Sequence, residues 1–245
     1  MFDLTMDGAI ARVTINRGEK RNAVPVSGWA EFERAIRQAN TSDANVVVIT
    51  SRDADSFCAG SDLFELNELV NDMAMRRKFR GAMASAFSRL QAVNKPTVSL
   101  ISGGCFGTGV SLAMACDLRI ARSDASFAIT PARFGFSYPA TDVERLVALV
   151  GPGQAANLVY TSEMISGAEA KQIGLVERID DGPDFGAEII NRIAQNGRSS
   201  LCTLKATLLK RFGVNQRFDA AFSSQEFRDC IQAFGSRSRA RSGGN

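Results

Sequence analysis

The sequence contains no histidine. That absence excludes any Ser-His-Asp or Cys-His nucleophilic device and any His-ligated metal. Proton transfer must therefore run through carboxylates, tyrosine, lysine, serine, cysteine or backbone groups. The five cysteines, Cys58, Cys105, Cys116, Cys202 and Cys230, are odd in number and form no CxxC pair. This pattern fits reduced thiols better than a disulfide framework or a zinc site. No apolar run approaches the about 20 residues of a membrane span, and MFDLTMDGAI lacks a signal-peptide pattern. A cytoplasmic protein without membrane contact is the expectation. A formal net charge of +3, with no basic stripe in the body of the chain, gives no reason to expect a nucleic-acid partner. The basic, Gly/Ser-rich end SRSRARSGGN reads as a frayed terminus.

The 45% hydrophobic and 22% charged residues are those of an ordinary globular chain. FDLTM and IARVTIN alternate around a glycine and predict a hairpin. NVVVIT, TVSLI, DLRIA and SFAI predict buried strands. VSGWAEFERAIRQAN predicts a helix capped by Ser27, and SRDADSFCAGSD a loop. FELNELVNDMAMRRKFRGAMASAFSRLQAV predicts one long helix with Gly81 as a possible interruption, and Met73, Met75 and Met83 as adaptable packing residues. Beyond residue 142 the pattern is mostly helical, with one short strand at LVERI. Strands alternating with helices imply parallel pairing and right-handed crossovers. The expected organisation is an α/β core over residues 1–180 and a helical segment over 181–245.

In CFGTGVSLAMACD, residues 105–117, glycines precede an apolar run, as where a chain turns tightly and opens a helix from about Val110. A helix N-terminus presents unpaired N–H groups and a partial positive charge, which suits a developing oxyanion. Yet Val110, Ser111 and Leu112 carry no acid and no base.

Four segments, NRGEKRNAV, SFCAGSDLFEL, KPTVSLISGGCFGTGVSLAMACDLRIARSDASFAI and ISGAEAKQIGLVERI, together resemble the crotonase (enoyl-CoA hydratase/isomerase) superfamily over nearly the whole chain. The resemblance implies a spiral of ββα units with a C-terminal helical trimerisation segment, assembled as a homotrimer or a dimer of trimers. It implies an acyl-CoA thioester as substrate and no cofactor beyond the CoA that the substrate carries. It also implies two backbone N–H donors for the enolate oxygen, at Ser61 and Thr108. Thr108 stands where glycine lets the ligand approach closely, and its β-branch crowds that place. Lys20, Arg21 and Ala23 are implied at the nucleotide end of CoA, and Ala59, Gly60, Ser61 and Asp62 along the pantetheine tunnel. Phe234 and Arg237 are implied contacts to a neighbouring subunit's CoA.

The same resemblance places the two glutamates of the hydratases at Ser111 and Pro131, neither of which can act as a base, and a carboxylate used by some relatives near Pro139. Other groups could handle protons. Tyr138 can donate to an enolate, and an Asp142 buried among apolar walls has a raised pKa, although Asp142 also reads as a helix N-cap. Glu65 and Glu68 read as solvent-facing, Asp62 as a helix cap and Asp117 as structural. Three functions remain open at this point: a hydratase/isomerase-like enzyme with relocated proton transfer, an acyl-CoA decarboxylase, or a non-catalytic acyl-CoA-binding subunit.

Overall fold

The computed structural model describes residues 1–242, with side chains through Phe234. The predicted hairpin is β1 (Phe2–Asp7) and β2 (Ile10–Ile15), antiparallel around Gly8. From there the chain winds in repeated turns. In each turn a strand joins a large sheet, a short strand then joins a small sheet, and a helix follows. The turns begin with β3 (Val46–Ser51) and β4 (Ser56–Cys58), β5 (Thr97–Ile101) and β6 (Gly104–Phe106), and β7 (Leu118–Ala121) and β8 (Ser126–Ala128). The short β9 (Ile165–Ser166) and β10 (Arg178–Ile179) complete the two sheets. The large sheet runs β1-β2-β3-β5-β7-β10 and the small one β4-β6-β8-β9; among these strand pairs of the described residues, β1–β2 and β8–β9 are antiparallel and the rest parallel. The expected spiral is therefore present, with two sheets where crossovers alone imply one.

Burial on both faces explains the unbroken β-branched run of β3, whose first four residues are all buried. One face of the large sheet packs with α1 (Gly28–Thr41) in a core that includes Trp29, Phe32, Phe87 and Leu112. The other carries Val46, Val48, Val98, Leu100 and Ile120, covered by Ile190 and its neighbours on α7 (Ala187–Ala194). Ile189 also packs against this cluster.

Several local expectations need correction. Ser27 makes no side-chain cap to α1, because its own backbone is already helical. The loop over 51–62 contains β4, too short for an alternation signal. The predicted long helix is two, α2 (Leu63–Glu68) and α3 (Met73–Ala92). The break comes at Asp72, whose carboxylate caps α3 by accepting from Ala74 N and Met75 N, and Gly81 lies inside α3 without interrupting it. The helix after the glycine turn, α4 (Thr108–Met114), begins two residues earlier than expected. The next helix, α5 (Ala140–Thr161), is broken at Gly151, where φ is 77° and Pro152 follows. After α6 (Gly167–Gln172) and α7 come α8 (Arg198–Leu208), α9 (Val214–Ala221) and α10 (Gln225–Ser242).

Two buried lysines tie α8 to the core. Lys95 donates to the Ala39 and Ser42 carbonyls, and burial pulls its pKa down to about 8. Lys205, on α8, donates to the Lys95 carbonyl and pairs with Asp117 Oδ2 at 2.7 Å. Asp117 also accepts from the Thr97 N–H and hydroxyl, the structural role expected of it. Asp117→Ala strands a buried ammonium and is expected to lower stability by about 3 kcal/mol. Chemical denaturation checks this, and the double variant with Lys205→Met should recover part of the loss.

Candidate active site

Two backbone segments meet with almost nothing between them. A Cβ on Gly109 would lie 2.4 Å from the Cys58 carbonyl oxygen, so α4 reaches β4 only because that position has no side chain. Gly60, at φ 100°, touches the same region: a Cβ there would lie 2.9 Å from Phe106 O and 3.4 Å from Thr108 N. The Ala59–Ser61 loop is thus held against the start of α4. The Ser61 and Thr108 hydroxyls are 2.8 Å apart. Among the described residues neither the Ser61 nor the Thr108 N–H finds an acceptor. The Thr108 side chain is accommodated by turning its hydroxyl to Ser61.

A third segment supports this pair. Val24 N donates to Gly60 O and Asp62 N donates to Val24 O, so residues 21–24 run beside 59–62. Arg21 and Asn22 have positive φ. The buried Asn22 amide fixes that turn by accepting from Arg17 N and donating to Ser51 Oγ and Ser56 O. Asp62 caps α2 through Phe64 N, as expected, and also accepts from Arg17 Nη1 at 2.9 Å. Burial opposes its ionisation, but the Arg17 and Phe64 hydrogen bonds and the Arg17 and Lys20 charges outweigh it and hold the carboxyl below its usual range. Neither Arg17 nor Asn22 is legible in this role from sequence: an Asn that directly follows Lys20 and Arg21 carries no local sign that it is buried.

A cavity of about 790 Å³ opens beside Ser61 and Thr108. Arg21, Ala59 and Gly60 line it toward one side. Phe79, Met83 and Phe87 of α3 and Phe134 and Phe136 of the segment between β8 and α5 supply apolar walls. Lys20 stands outside, its ammonium 5.4 Å from the Phe64 ring centre. Ala23 lies beside Lys20, half-buried, and accepts from Arg17 through its carbonyl. Glu65 does not line the cavity and instead accepts from Val26 N, and Glu68 is exposed. Met83 packs in the core as expected, whereas Met73 is largely exposed. Pro131 opens a 3-10 turn rather than sitting in a strand. Phe234 stands exposed on α10, and the side chain of Arg237 lies outside the described residues.

The position without a base is the hub of a polar network. Ser111 Oγ lies 2.7 Å from Asp142 Oδ2 and 2.6 Å from the Tyr138 hydroxyl, which is 2.8 Å from the Gly107 carbonyl oxygen. Arg145 Nη1 donates to Asp142 Oδ1 at 2.7 Å, and Nη2 to Gln91 Oε1 on α3. Asp142 is no N-cap: Pro139 occupies the cap, and Asp142 sits in the first turn of α5 at 1% exposure. Burial pushes its carboxyl above the ordinary value, against the pull of Ser111 and Arg145. Burial and then Asp142 push the Tyr138 phenol well up, so it stays protonated. Burial also raises the nearby Cys58 thiol, to about 12, and Cys105. Neither supplies a thiolate. Among the described residues no cluster of three or more Cys, Asp or Glu could hold a metal ion. Arg145 was legible as the i+3 partner of Asp142 on a helix, but its significance depends on Asp142 being buried.

Comparison with known proteins places the chain as a whole. A family model described as enoyl-CoA hydratase/isomerase matches residues 5–238. A short-chain-enoyl-CoA hydratase of Clostridium acetobutylicum is 31% identical over 232 residues, 93% of this chain and 88% of that protein. A peroxisomal Delta(3,5)-Delta(2,4)-dienoyl-CoA isomerase of Arabidopsis thaliana is 30% identical over 219 residues, 83% of this chain and 78% of its own length. A crystal structure of an enoyl-CoA hydratase/isomerase family protein from Hyphomonas neptunium superposes with a TM-score of 0.89 at 29% identity, covering 96% of this chain and 95% of that one. With this fold and these relatives, the chain belongs to the enoyl-CoA hydratase/isomerase family.

Proposed function

We propose that the protein moves a double bond or exchanges protons within the acyl group of a CoA thioester, holding the enolate oxygen with the Ser61 and Thr108 N–H groups. The observation that carries this reading is the Asp142–Ser111–Tyr138 network, which faces the same cavity as those donors. The ionised Asp142 accepts the α-proton through the Ser111 and Tyr138 hydroxyls. The C–H electron pair moves into the enolate, whose charge the two N–H groups stabilise. The same carboxyl then returns a proton either to the α carbon, which is exchange, or to the γ carbon of a 3-enoyl thioester: the enolate pair moves to form the α,β double bond, and the former β,γ π pair forms the new C–H bond. Nothing else is consumed. Its raised pKa makes Asp142 a stronger base near neutrality than an exposed carboxylate.

Hydration fits less well. It needs one group to activate water and another to protonate carbon, and Asp142 is the one carboxyl among the described residues that line the cavity. A decarboxylase or a purely binding subunit leaves the titratable network without a task. Asp142→Asn is expected to slow isomerisation of 3-enoyl-CoA and α-proton exchange by about 10²–10⁴, with CoA affinity retained. Mass spectrometry of deuterium incorporation checks this. An unchanged exchange rate, or wild-type hydration of crotonyl-CoA at about 10³ s⁻¹, overturns the reading.

Arg21 in the cavity rim and Lys20 outside it are proposed to meet the nucleotide end of CoA, with Ala23, Ala59, Gly60 and Asp62 shaping the tunnel beside them. Changing Lys20 and Arg21 to Ala is expected to weaken CoA more than a pantetheine thioester, and more at low salt than at high. Equal losses for the two ligands, measured by calorimetry, remove these residues from that role.

The region beyond residue 180 is proposed as the oligomerisation segment. Leu208, Phe212, Phe218 and Phe222 are mostly exposed, Phe212 at 99%, more apolar surface than a solitary chain ordinarily leaves in water. Phe234 and Arg237 are proposed to reach a neighbouring subunit's CoA. Light scattering at micromolar concentration is expected to return a trimer or a dimer of trimers.

A further inference from the structure

Proton transfer leaves one hydrogen bond of this network without a task. The Tyr138 hydroxyl lies 2.8 Å from the Gly107 carbonyl oxygen. That carbonyl and the Thr108 N–H belong to the same peptide unit. A donor at the carbonyl draws electron density onto oxygen through the amide resonance and leaves the N–H on the far side more positive. We infer that Tyr138 is a positioning residue for the anion hole: its phenol polarises the Gly107–Thr108 peptide, and Ser111 and Asp142 decide whether that hydrogen bond is made. The inference rests on the proposed role of the Thr108 N–H as an enolate donor.

The protons along this row are too few for its contacts when Asp142 is ionised. Asp142, Ser111, Tyr138 and the Gly107 carbonyl stand in line, joined by three oxygen–oxygen contacts of 2.7, 2.6 and 2.8 Å. Ser111 and Tyr138 bring one proton each, and the carbonyl brings none. When Asp142 is ionised, two protons serve three contacts. Arg145 occupies Oδ1, so Oδ2 draws the Ser111 proton. Tyr138 can then donate to Ser111 and leave the Gly107 oxygen with only its backbone donors, Val110 N and Ser111 N. Alternatively it donates to Gly107, and the Ser111 and Tyr138 oxygens face each other at 2.6 Å without a proton. When Asp142 is protonated, three protons serve three contacts. All of them point toward Gly107, and the polarisation runs on through the peptide to the Thr108 N–H. Hydrogen bonds aligned in this way strengthen one another by roughly 10–30% each.

The state of the chain is set by Asp142. Among the described residues, the charged or titratable groups facing Asp142 and Tyr138 are each other, Arg145 on α5 and Cys105 on β6. Arg145 remains charged, and burial keeps the Cys105 thiol protonated. The device therefore couples two halves of one reaction. As Asp142 takes the substrate proton, the anion hole gains its strongest donor at the moment the enolate forms.

The sequence provides a direct test, because Gly-Thr occurs in it once, at 107–108. Protein labelled with carbonyl-13C glycine and 15N threonine gives one coupled peptide signal, from this unit alone. In the ligand-free wild type this signal is expected to shift as pH rises through the titration of Asp142. Tyr138→Phe should displace it and abolish that movement. Asp142→Asn, whose amide can donate to Ser111 while its oxygen accepts from Arg145, should hold it at the low-pH position. As a second readout, the carbonyl stretch of butyryl-CoA labelled with 13C at the thioester should fall to lower frequency on binding, and fall less in Tyr138→Phe. If Tyr138→Phe does not fold, the wild-type titration and its freezing in Asp142→Asn decide the matter. A peptide signal indifferent to pH and to both substitutions overturns the inference. A carbonyl stretch lowered equally with and without the phenol overturns this inference alone. No shift of the bound thioester carbonyl in any form overturns the anion-hole reading and this inference together.

Discussion

The site depends on a contact between two stretches of bare backbone. Gly109 lets α4 press against the Cys58 carbonyl, and Gly60 lets the 59–61 loop press against Phe106 and Thr108. Dispersion and hydrogen bonding act at full strength only at such distances, and a single methyl group would force the segments apart. Everything built above this contact follows from it: the adjacency of the Ser61 and Thr108 amides, the seating of residues 21–24 along the loop, and the mouth of the cavity. The spiral supplies the two segments cheaply in topological terms, since β4 and β6 come from successive turns and are neighbours in the small sheet.

On this frame the polar chemistry is concentrated in one row of oxygen atoms. Asp142, Ser111 and Tyr138 come from two helices and the loop between Gly135 and Pro139. Burial removes water as a competing partner, so each hydroxyl has few choices of where to donate. Arg145 narrows the choice further by occupying one carboxyl oxygen and bridging to Gln91 on α3. The row is thereby tied to α3 as well as to α4 and α5.

Much of the frame was legible in the sequence. Long β-branched runs such as NVVVIT declare buried strands, and the glycine turn before α4 declares a helix N-terminus. β4, β6 and β9 are two or three residues long, and periodicity cannot register over so few positions. The break between α2 and α3 escaped notice because its signal, the cap at Asp72, lies inside an otherwise continuous helical pattern. The site divides in the same way. Ser61 and Thr108 follow from short motifs, whereas the role of Ser111 does not, since its partners lie 27 and 31 residues away. Read alone, Ser111 is a position where the resemblance implies a base; in the fold its hydroxyl joins Asp142 to Tyr138. Asp142 reads as a cap because Asp near a helix start usually is one. Only tertiary burial separates that role from an acid held inside the protein.

The tight fit around Ser111 also constrains how such a sequence can change. The residue is wholly buried, with two partner oxygens within 2.7 Å of its own. A glutamate there would have to displace the phenol, at about 1–3 kcal/mol for overpacking, and would set a second carboxylate beside Asp142, where like charges resist ionising together. Substitutions at positions 111, 138 and 142 are thus expected to be coupled rather than additive, since the three side chains share hydrogen bonds. A change at any one of the three has to be matched at the other two if the buried oxygens are to keep their partners.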